Sequence, residues 1–208
     1  MSIDLDAFDE FEASAWEARV EGYAGSFGDI TGRLVEPLLN VARVGPGTRV
    51  LDVATGPGYV AAEAARRGAT VWGVDVAEAM LARANAEHPA IEFRRADAQS
   101  LPFEDAAFDA VVGNFGLPHF ARPELAVAES ARVLAPGGRL ALTTWDAPAE
   151  MRMFGVFLEA VAEVGAGPPH GLPPGPDVFG FSDDGEFRRL FEGQGLVDVE
   201  VRRVAFTH

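Results

Sequence analysis

The chain has 208 residues, a formal net charge of −15 and no cysteine. This length suits one domain with a substantial buried core, and the lack of cysteine excludes disulfides and thiolate metal sites. The acidic charge disfavours a nucleic acid as substrate, while the acidic N-terminus and the lack of a long apolar run predict a cytoplasmic protein without a membrane partner.

Two helices are predicted before the first strand. Residues 5–21 form an acidic amphipathic pattern with Phe8 and Phe11 on one stripe. A second helix is predicted over 30–43, because the glycines and proline at 45–47 would end it. We therefore assign residues 1–45 to N-terminal helices that cap the domain.

Residues 46–146 alternate regularly between strand and helix patterns. The predicted strands are 48–54, 69–74, 91–95, 108–113 and 139–145, and the predicted helices are 58–67, 77–87 and 123–134. The glycine-rich segment Pro136–Gly138 is expected to end the last of these helices. Such alternation predicts an α/β fold, a three-layer, doubly wound and mainly parallel sheet that binds its ligand at the carboxyl ends of the strands.

The most informative segment is Val50–Gly58, a strand that runs into a glycine turn and opens a helix at Tyr59. This geometry brings backbone N–H groups and a helix N-terminus to a polar ligand. Asp75 ends the next apolar run, 19 residues after Gly56, where a carboxylate can accept both hydroxyls of a ribose. Together they predict a ligand that contains adenosine.

Three interpretations of the turn remain at this point. It could be a tight turn without a ligand, or a dinucleotide fingerprint, since Gly56-x-Gly58-x-x-Ala61 fits that pattern. Asp52 argues for a third, because a carboxylate would repel a pyrophosphate but suits a cationic amino group. Asp97 and the N–H of Ala98 could bind an adenine edge. A ligand with a cationic amino-acid end, a ribose and an adenine fits S-adenosylmethionine.

The chain resembles the class I S-adenosylmethionine-dependent methyltransferases, in the group that includes the ubiquinone/menaquinone C-methyltransferases. The resemblance is close over residues 47–145. Its motifs are Val50–Gly58, Gly73–Asp75, Ala96–Ala98, Phe108–Val112 and Arg132–Gly138. One departure is Ala54, where the family usually has glycine, and it matters only if that position needs a positive φ.

A cofactor site follows from these motifs. The backbone of 54–58 should cradle the amino-acid end of S-adenosylmethionine, with Asp52 facing it, and Val76 and Met80 should flank the adenine or pack in the core. The resemblance also implies that the first helix closes over the cofactor with Tyr23 as the contact, although Tyr23 could instead be a buried tyrosine that only finds a hydrogen bond. The predicted cofactor-binding residues are Tyr23, Asp52, Ala54, Thr55, Gly56, Gly58, Asp75, Val76, Met80, Asp97, Ala98, Asn114, Phe115 and Gly116.

Beyond Trp145 the pattern changes. A helix rich in Met and Phe is predicted over 149–164 and is followed by a Gly/Pro-rich stretch. In the family an insertion here covers the acceptor, so we expect 147–181 to be a substrate lid rather than a plain surface connection. Residues 182–208 form the C-terminal segment, with a helix predicted over 182–192 and a strand over 197–206. The family has a seventh strand between the fifth and the sixth, and we expect it to lie in a missing tail, or else to come from a partner.

The predicted function is methyl transfer from S-adenosylmethionine to the oxygen, nitrogen or carbon of a small molecule. Methyl transfer depends mainly on alignment of the acceptor, and a general base helps only where a proton must leave. His119 is the candidate base, although it could also be a structural histidine, and His170 is a weaker candidate. The alternatives are an NAD(P)-dependent oxidoreductase and a protein that binds the cofactor without catalysis. No metal is expected, and a homodimer is left open.

Overall fold

The computed structural model describes residues 4–167 and 171–206. Its helices are α1 (Leu5–Ala24), α2 (Phe27–Thr31), α3 (Val35–Val41), α4 (Tyr59–Arg66), α5 (Glu78–Glu87), α6 (Pro123–Val133), α7 (Arg152–Glu163) and α8 (Asp184–Glu192), with 3₁₀ turns at Gly32–Leu34 and Leu117–His119. Its strands are β1 (Arg49–Val53), β2 (Thr70–Asp75), β3 (Glu92–Arg95), β4 (Phe108–Asn114) and β5 (Leu134–Thr143). None of the described helices is long and apolar enough to cross a lipid bilayer.

The five strands form one parallel sheet in the order β3-β2-β1-β4-β5. This confirms the predicted doubly wound α/β architecture. Chain order reverses between β1 and β4, and such a switch point opens a crevice at the carboxyl ends of the strands. The turns that follow β1, β2 and β4 therefore meet at one edge of the sheet.

Side chains alternate along the central strands between two apolar layers. Val50 and Val112 pack with α3 and α4 on one face, whereas Leu51 and Val111 pack with α6 on the other. Because both faces of β1 are covered, four of its five residues are buried, as expected for the middle of a parallel sheet. Both layers hold the carboxyl ends of the strands in fixed positions.

The second predicted helix, 30–43, is wrong in its continuity. The structure instead has α2, a 3₁₀ turn and α3 in succession. Pro37 lies in the first turn of α3, where its missing N–H is tolerated, but it could not sit in the interior of one long helix. The chain therefore restarts its helix at Val35.

The glycine-rich segment Pro136–Gly138 lies within a strand rather than between a helix and a strand. Helix α6 ends at Val133, because Leu134 is already extended and pairs with Phe108. The next pair joins Ala110 to Arg139, so the intervening residues of β5 form an irregularity, with Gly137 at a φ of 80°. The predictions that Pro136–Gly138 ends the helix and that the strand begins at 139 are therefore wrong, because β5 already begins at Leu134.

The predicted strand over 197–206 is also wrong, because the structure forms no ladder there. Val199 and Val201 pack on the apolar cluster that surrounds α8, whereas Glu200 and Arg202 are exposed. Alternating burial of this kind resembles a strand in sequence. A strand also needs a hydrogen-bonding partner, and in the family that partner would be a seventh strand.

Replacing Gly73 in β2 should destabilise the sheet. A Cβ there would lie 2.5 Å from Cδ1 of Phe93 and 2.9 Å from Oγ1 of Thr55. We expect Gly73→Ala to lower the free energy of unfolding by about 1–3 kcal/mol, measured by urea denaturation. The control is Gly32→Ala. Gly32 has a helical backbone and an added Cβ there would meet open space, so this variant should be as stable as the wild type or more stable. Equal stability of the two variants would contradict this packing.

Candidate active site

A cavity of about 660 Å³ lies between the carboxyl ends of the strands and helix α1. Twelve of the fifteen predicted site residues line it: Tyr23, Ala54, Gly56, Asp75, Val76, Met80, Asp97, Ala98, Asn114, Phe115, Gly116 and His119. Asp52, Thr55 and Gly58 are not among its lining residues. Pockets that bind metabolites and cofactors commonly have this size and position.

The turn after β1 contains three residues in the left-handed region. Ala54, Gly56 and Gly58 have φ values of 54°, 53° and 86°. Gly58 directly precedes α4, and a Cβ there would approach the ring of Phe93 to 3.0 Å. A Cβ on Gly56 would meet open space, so the backbone at this point faces the cavity without a side chain in front of it.

Ala54 adopts the conformation in which its departure from glycine matters. A left-handed alanine costs about 1–2 kcal/mol. Its methyl group is accommodated because residue 116 is glycine, where an added Cβ would lie only 2.7 Å from that of Ala54. The turn after β1 and the turn after β4 are thus complementary in shape.

Asp52 does not face the cavity, which corrects the prediction that it faces the amino-acid end of the ligand. It is 1% exposed, and its Oδ2 accepts hydrogen bonds from the hydroxyl of Thr55 at 2.6 Å and the N–H of Ala61 at 3.1 Å. Ala61 lies in the first turn of α4, where a carboxylate satisfies a free N–H group and the helix dipole. Burial raises the pKa of Asp52 to about 7, although these two hydrogen bonds act to lower it.

Asp75 links the turn after β1 to the start of α5. Its Oδ2 accepts from the N–H of Gly56 at 2.8 Å, and its Oδ1 accepts from the N–H of Ala77 at 2.9 Å. Burial raises the pKa of this carboxyl, and the backbone N–H groups oppose that rise. The carboxylate also lines the cavity, so the predicted position of Asp75 at the end of β2 is the observed one.

The segment after β3 closes a third side of the cavity. Asp97 Oδ1 accepts the N–H of Gln99 at 2.8 Å, while Ala98 is buried. The side chain of Gln99 in turn donates to Asp9 of α1 at 3.2 Å. The loop and the first helix are therefore tied together, a contact between residues 90 positions apart.

Helix α1 forms the roof of the cavity. Glu17 accepts the N–H groups of Glu78 and Ala79, the latter at 2.9 Å, and so caps α5. Near the other end of the roof, the hydroxyl of Tyr23 lies 2.9 Å from Oγ1 of Thr31. Burial raises the pKa of Tyr23. The tyrosine hydroxyl is thus neutral and hydrogen-bonded at neutral pH.

The end of β4 is held by a short hydrogen-bonded network. Thr143 Oγ1 donates to Asn114 Oδ1 at 2.8 Å and accepts the N–H of Phe115 at 2.9 Å. Asn114 Nδ2 donates to the carbonyl of Thr31 at 3.0 Å. These bonds support Phe115 at a φ of 59°, a conformation that aromatic residues rarely adopt.

Aromatic side chains form the wall beside Phe115. Its ring stacks on Trp145 with centroids 4.0 Å apart, and Trp145 meets Phe154 of α7 edge-on at 5.2 Å. The ring centroid of Phe27 in α2 lies 6.3 Å from that of Trp145 and 6.3 Å from that of Phe154. None of these three aromatic partners was predicted as a site residue, although the aromatic content of α7 was a signal. The cavity lining also includes Phe154 and Val178, from the segment predicted as a lid.

His119 also lines the cavity, in the 3₁₀ turn after β4. Its Nδ1 lies 2.9 Å from Oε2 of Glu12, which also accepts the indole N–H of Trp16 at 3.1 Å. Neither Glu12 nor Trp16 was predicted as a site residue. His170 lies outside the described residues, and within those residues no histidine and carboxylate cluster is placed to hold a metal ion.

Comparison with known proteins identifies the central part of the chain. Residues 51–142 match the family described as "Methyltransferase domain". The demethylmenaquinone methyltransferase of Thermus thermophilus is 47% identical over 106 residues, which is 48% of each chain. The chain spans about half the length of the curated relatives it matches.

Solved structures agree on the fold. A putative methyltransferase of Bacillus halodurans is 34% identical, with a TM-score of 0.51 over 62% of this chain and 58% of the other. A putative methyltransferase solved in complex with the Haloferax volcanii Trm112 activator covers 98% of this chain and 85% of its own, with a TM-score of 0.64 and 22% identity. At that identity the second likeness concerns the fold alone.

The buried carboxyl of Asp52 should make stability depend on pH. Its pKa is about 7 in the folded protein and near 4 in the unfolded chain, so between these values only the folded state holds the proton. The free energy of unfolding should fall as the pH rises through this window, by up to roughly 4 kcal/mol, from three pKa units at about 1.4 kcal/mol each. In urea unfolding between pH 4.5 and 8, Asp52→Asn should lose the part of the slope that Asp52 contributes. The raised pKa of Asp75 should leave a smaller slope of the same sign.

The matched control is Asp109→Asn. Arg49 lowers the pKa of Asp109 to about 2, so this carboxyl titrates below the window and its replacement should keep the wild-type slope. If Asp52→Asn and the wild type show the same pH dependence, the assignment of the slope to Asp52 is wrong.

Proposed function

We propose, from the premise that the core of this chain is a class I S-adenosylmethionine-dependent methyltransferase domain, that the protein transfers a methyl group from S-adenosylmethionine to a small-molecule acceptor. The observation that carries the proposal is the single cavity in which twelve predicted site residues meet at the switch point of the sheet. No comparison above supports the oxidoreductase or the non-catalytic alternative.

The cavity fits the cofactor on structural grounds. Gly56 presents bare backbone to the cavity, and a side chain at this position would occupy open space that a ligand needs. Asp75 brings a buried carboxylate to the same wall, where its hydrogen bonds to backbone N–H groups fix its orientation. The fixed carboxylate can accept hydrogen bonds from the ribose hydroxyls, and the exposed backbone beside it can bind the amino-acid end of the same ligand.

Each part of the cofactor then has a partner. Asp75 would accept the ribose hydroxyls, and Val76 and Met80 would lie against the adenine. Asp97 and the N–H of Ala98 would bind the adenine edge. The backbone of residues 54–58 would hold the amino-acid end, with Asp52 acting from behind the turn by fixing its shape.

The aromatic wall supplies the environment for the acceptor. Bound S-adenosylmethionine would supply an electrophilic methyl group, so the chain's main task is to align the acceptor and exclude water. Phe115, Trp145 and Phe154 form an apolar surface at the end of β4, supported by Thr143. Flat apolar walls bind planar groups by stacking.

The acceptor we propose is a neutral or cationic, partly aromatic metabolite. The cavity is lined by the carboxylates of Asp9, Glu12, Asp75 and Asp97 against one arginine, Arg19, and the chain carries a net charge of −15. An anionic acceptor, including a nucleic acid, would be repelled. A cytoplasmic location also stays a prediction. A homodimer and the lid role of 147–181 stay predictions.

Cofactor binding tests the proposal through Asp75. We expect isothermal titration to show wild-type binding of S-adenosylhomocysteine, and Asp75→Asn to weaken it about tenfold or more, because one charge-assisted hydrogen bond contributes about 1.5–3 kcal/mol. The control is Asp109→Asn, whose carboxylate pairs with Arg49 outside the cavity.

Two outcomes would contradict the proposal. One is wild-type protein that binds neither S-adenosylhomocysteine nor S-adenosylmethionine. The other is binding of NADH in their place, which would favour the oxidoreductase. Thermal melting of Asp75→Asn separates lost binding from lost folding, because this carboxylate also holds Gly56 and Ala77.

A further inference from the structure

Glu12, Trp16 and His119 form a hydrogen-bonded group on the cavity wall. Glu12 and Trp16 belong to the roof helix α1, whereas His119 follows β4, 107 residues after Glu12. The side chain of His119 is 30% exposed and that of Glu12 is 14% exposed. The imidazole therefore reaches the cavity and is not enclosed by the core.

The geometry determines which imidazole nitrogen carries the hydrogen. An ionised carboxylate only accepts hydrogen bonds, so the contact of 2.9 Å places the hydrogen on Nδ1 of His119. In the neutral ring, Nε2 then keeps its lone pair. Trp16 meets the imidazole edge-on at 4.9 Å and donates its indole N–H to the same Glu12 oxygen, so it fixes both partners.

The other acidic groups on the cavity wall are already engaged. Asp75 and Asp97 accept backbone N–H groups. Asp9 binds Gln99 and Arg122, and Tyr23 bonds with Thr31 while its pKa is raised. Among the described residues that line the cavity, the Nε2 of His119 is therefore the best placed proton acceptor.

We propose that Glu12 positions His119 as the base that removes a proton from the acceptor. The acceptor class is then a molecule that must lose a proton, such as a phenol, an enol or a carbon acid, rather than a tertiary amine or a thioether. This inference rests on the proposed function, because it concerns the second substrate of the same cavity. It assigns a role to Glu12 and narrows the acceptor chemistry.

The step is balanced in atoms and charge. The X–H bond of the acceptor breaks, the proton goes to Nε2, and the electron pair forms the bond from X to the methyl group. The pair of the broken C–S bond stays on sulfur, so the positive charge of the sulfonium ends on the imidazolium. Glu12 stabilises that imidazolium, as a carboxylate does for the histidine of a hydrolase triad.

The surrounding charges favour a cationic ring. Glu12 and Asp9 face His119 and its neighbours from α1. Two arginines lie nearby. Arg19 lines the cavity and lies over the ring of Trp16 at 5.9 Å, and Arg122 is paired with both Asp6 and Asp9. The carboxylates of Asp6 and Asp9 offset the positive charge of Arg122.

The tautomer of His119 tests the proposal without any acceptor. In ¹⁵N-labelled wild-type protein at pH 8.5, two-bond ¹H–¹⁵N spectra should show a hydrogen on Nδ1 and a bare Nε2, with the signals assigned through His119→Gln. Glu12→Ala should lose this pattern and move to the Nε2–H form that histidine side chains prefer in water. Trp16→Phe, which leaves the carboxylate in place, should keep the Nδ1–H pattern. A wild-type Nε2–H form, or an unchanged pattern in Glu12→Ala, would overturn the proposal.

A second measurement on the wild type does not depend on the folding of any variant. Diethyl pyrocarbonate reacts with an accessible imidazole lone pair, and mass spectrometry locates the modified residue. We expect His119 to react at least tenfold faster than His88, whose Nε2 is buried. Equal or slower reaction would overturn the proposal. Failure of cofactor binding is a separate result, since neither the tautomer nor this reaction requires a ligand.

Discussion

Two buried carboxylates hold the turn between β1 and α4, and the rest of the site depends on that turn. Asp52 bonds to the hydroxyl of Thr55 and to the first turn of α4, while Asp75 bonds to Gly56 and to the start of α5. Both carboxyls have raised pKa values because they are buried. Their hydrogen bonds offset part of the cost of that burial, and backbone N–H groups that would otherwise be unsatisfied gain acceptors.

The roof helix adds a second layer of polar contacts that come from distant parts of the chain. Along α1, Asp9, Glu12, Glu17 and Tyr23 each reach a different element of the domain. One side of the helix therefore carries both the lining of the cavity and the bonds that keep it closed. Removal of the helix would expose the apolar wall at the end of β4 as well as the cofactor side.

The sequence predicted the elements whose signals are local. The glycine turn, the position of Asp75 and the order of strands and helices follow from spacing and periodicity, and the structure has them at nearly the predicted residues. The orientation of the Asp52 side chain could not be predicted from the sequence, because it depends on whether Thr55 and Ala61 or a ligand in the cavity is the better hydrogen-bonding partner. Glu12 and Trp16 were missed for a similar reason, since their partner lies more than a hundred residues away. The strand predicted over 197–206 failed because burial along one segment does not reveal whether a neighbouring strand exists.

The close approach of Ala54 and Gly116 has a consequence for how the two turns can change in evolution. The two positions share the space of one methyl group, since an added Cβ at 116 would lie 2.7 Å from that of Ala54. A side chain at 116 would thus be tolerated more easily after residue 54 has become glycine, whereas the reverse order passes through a clash. Substitutions at these two sites should therefore show epistasis, because Ala54 restricts which residues are tolerated at position 116.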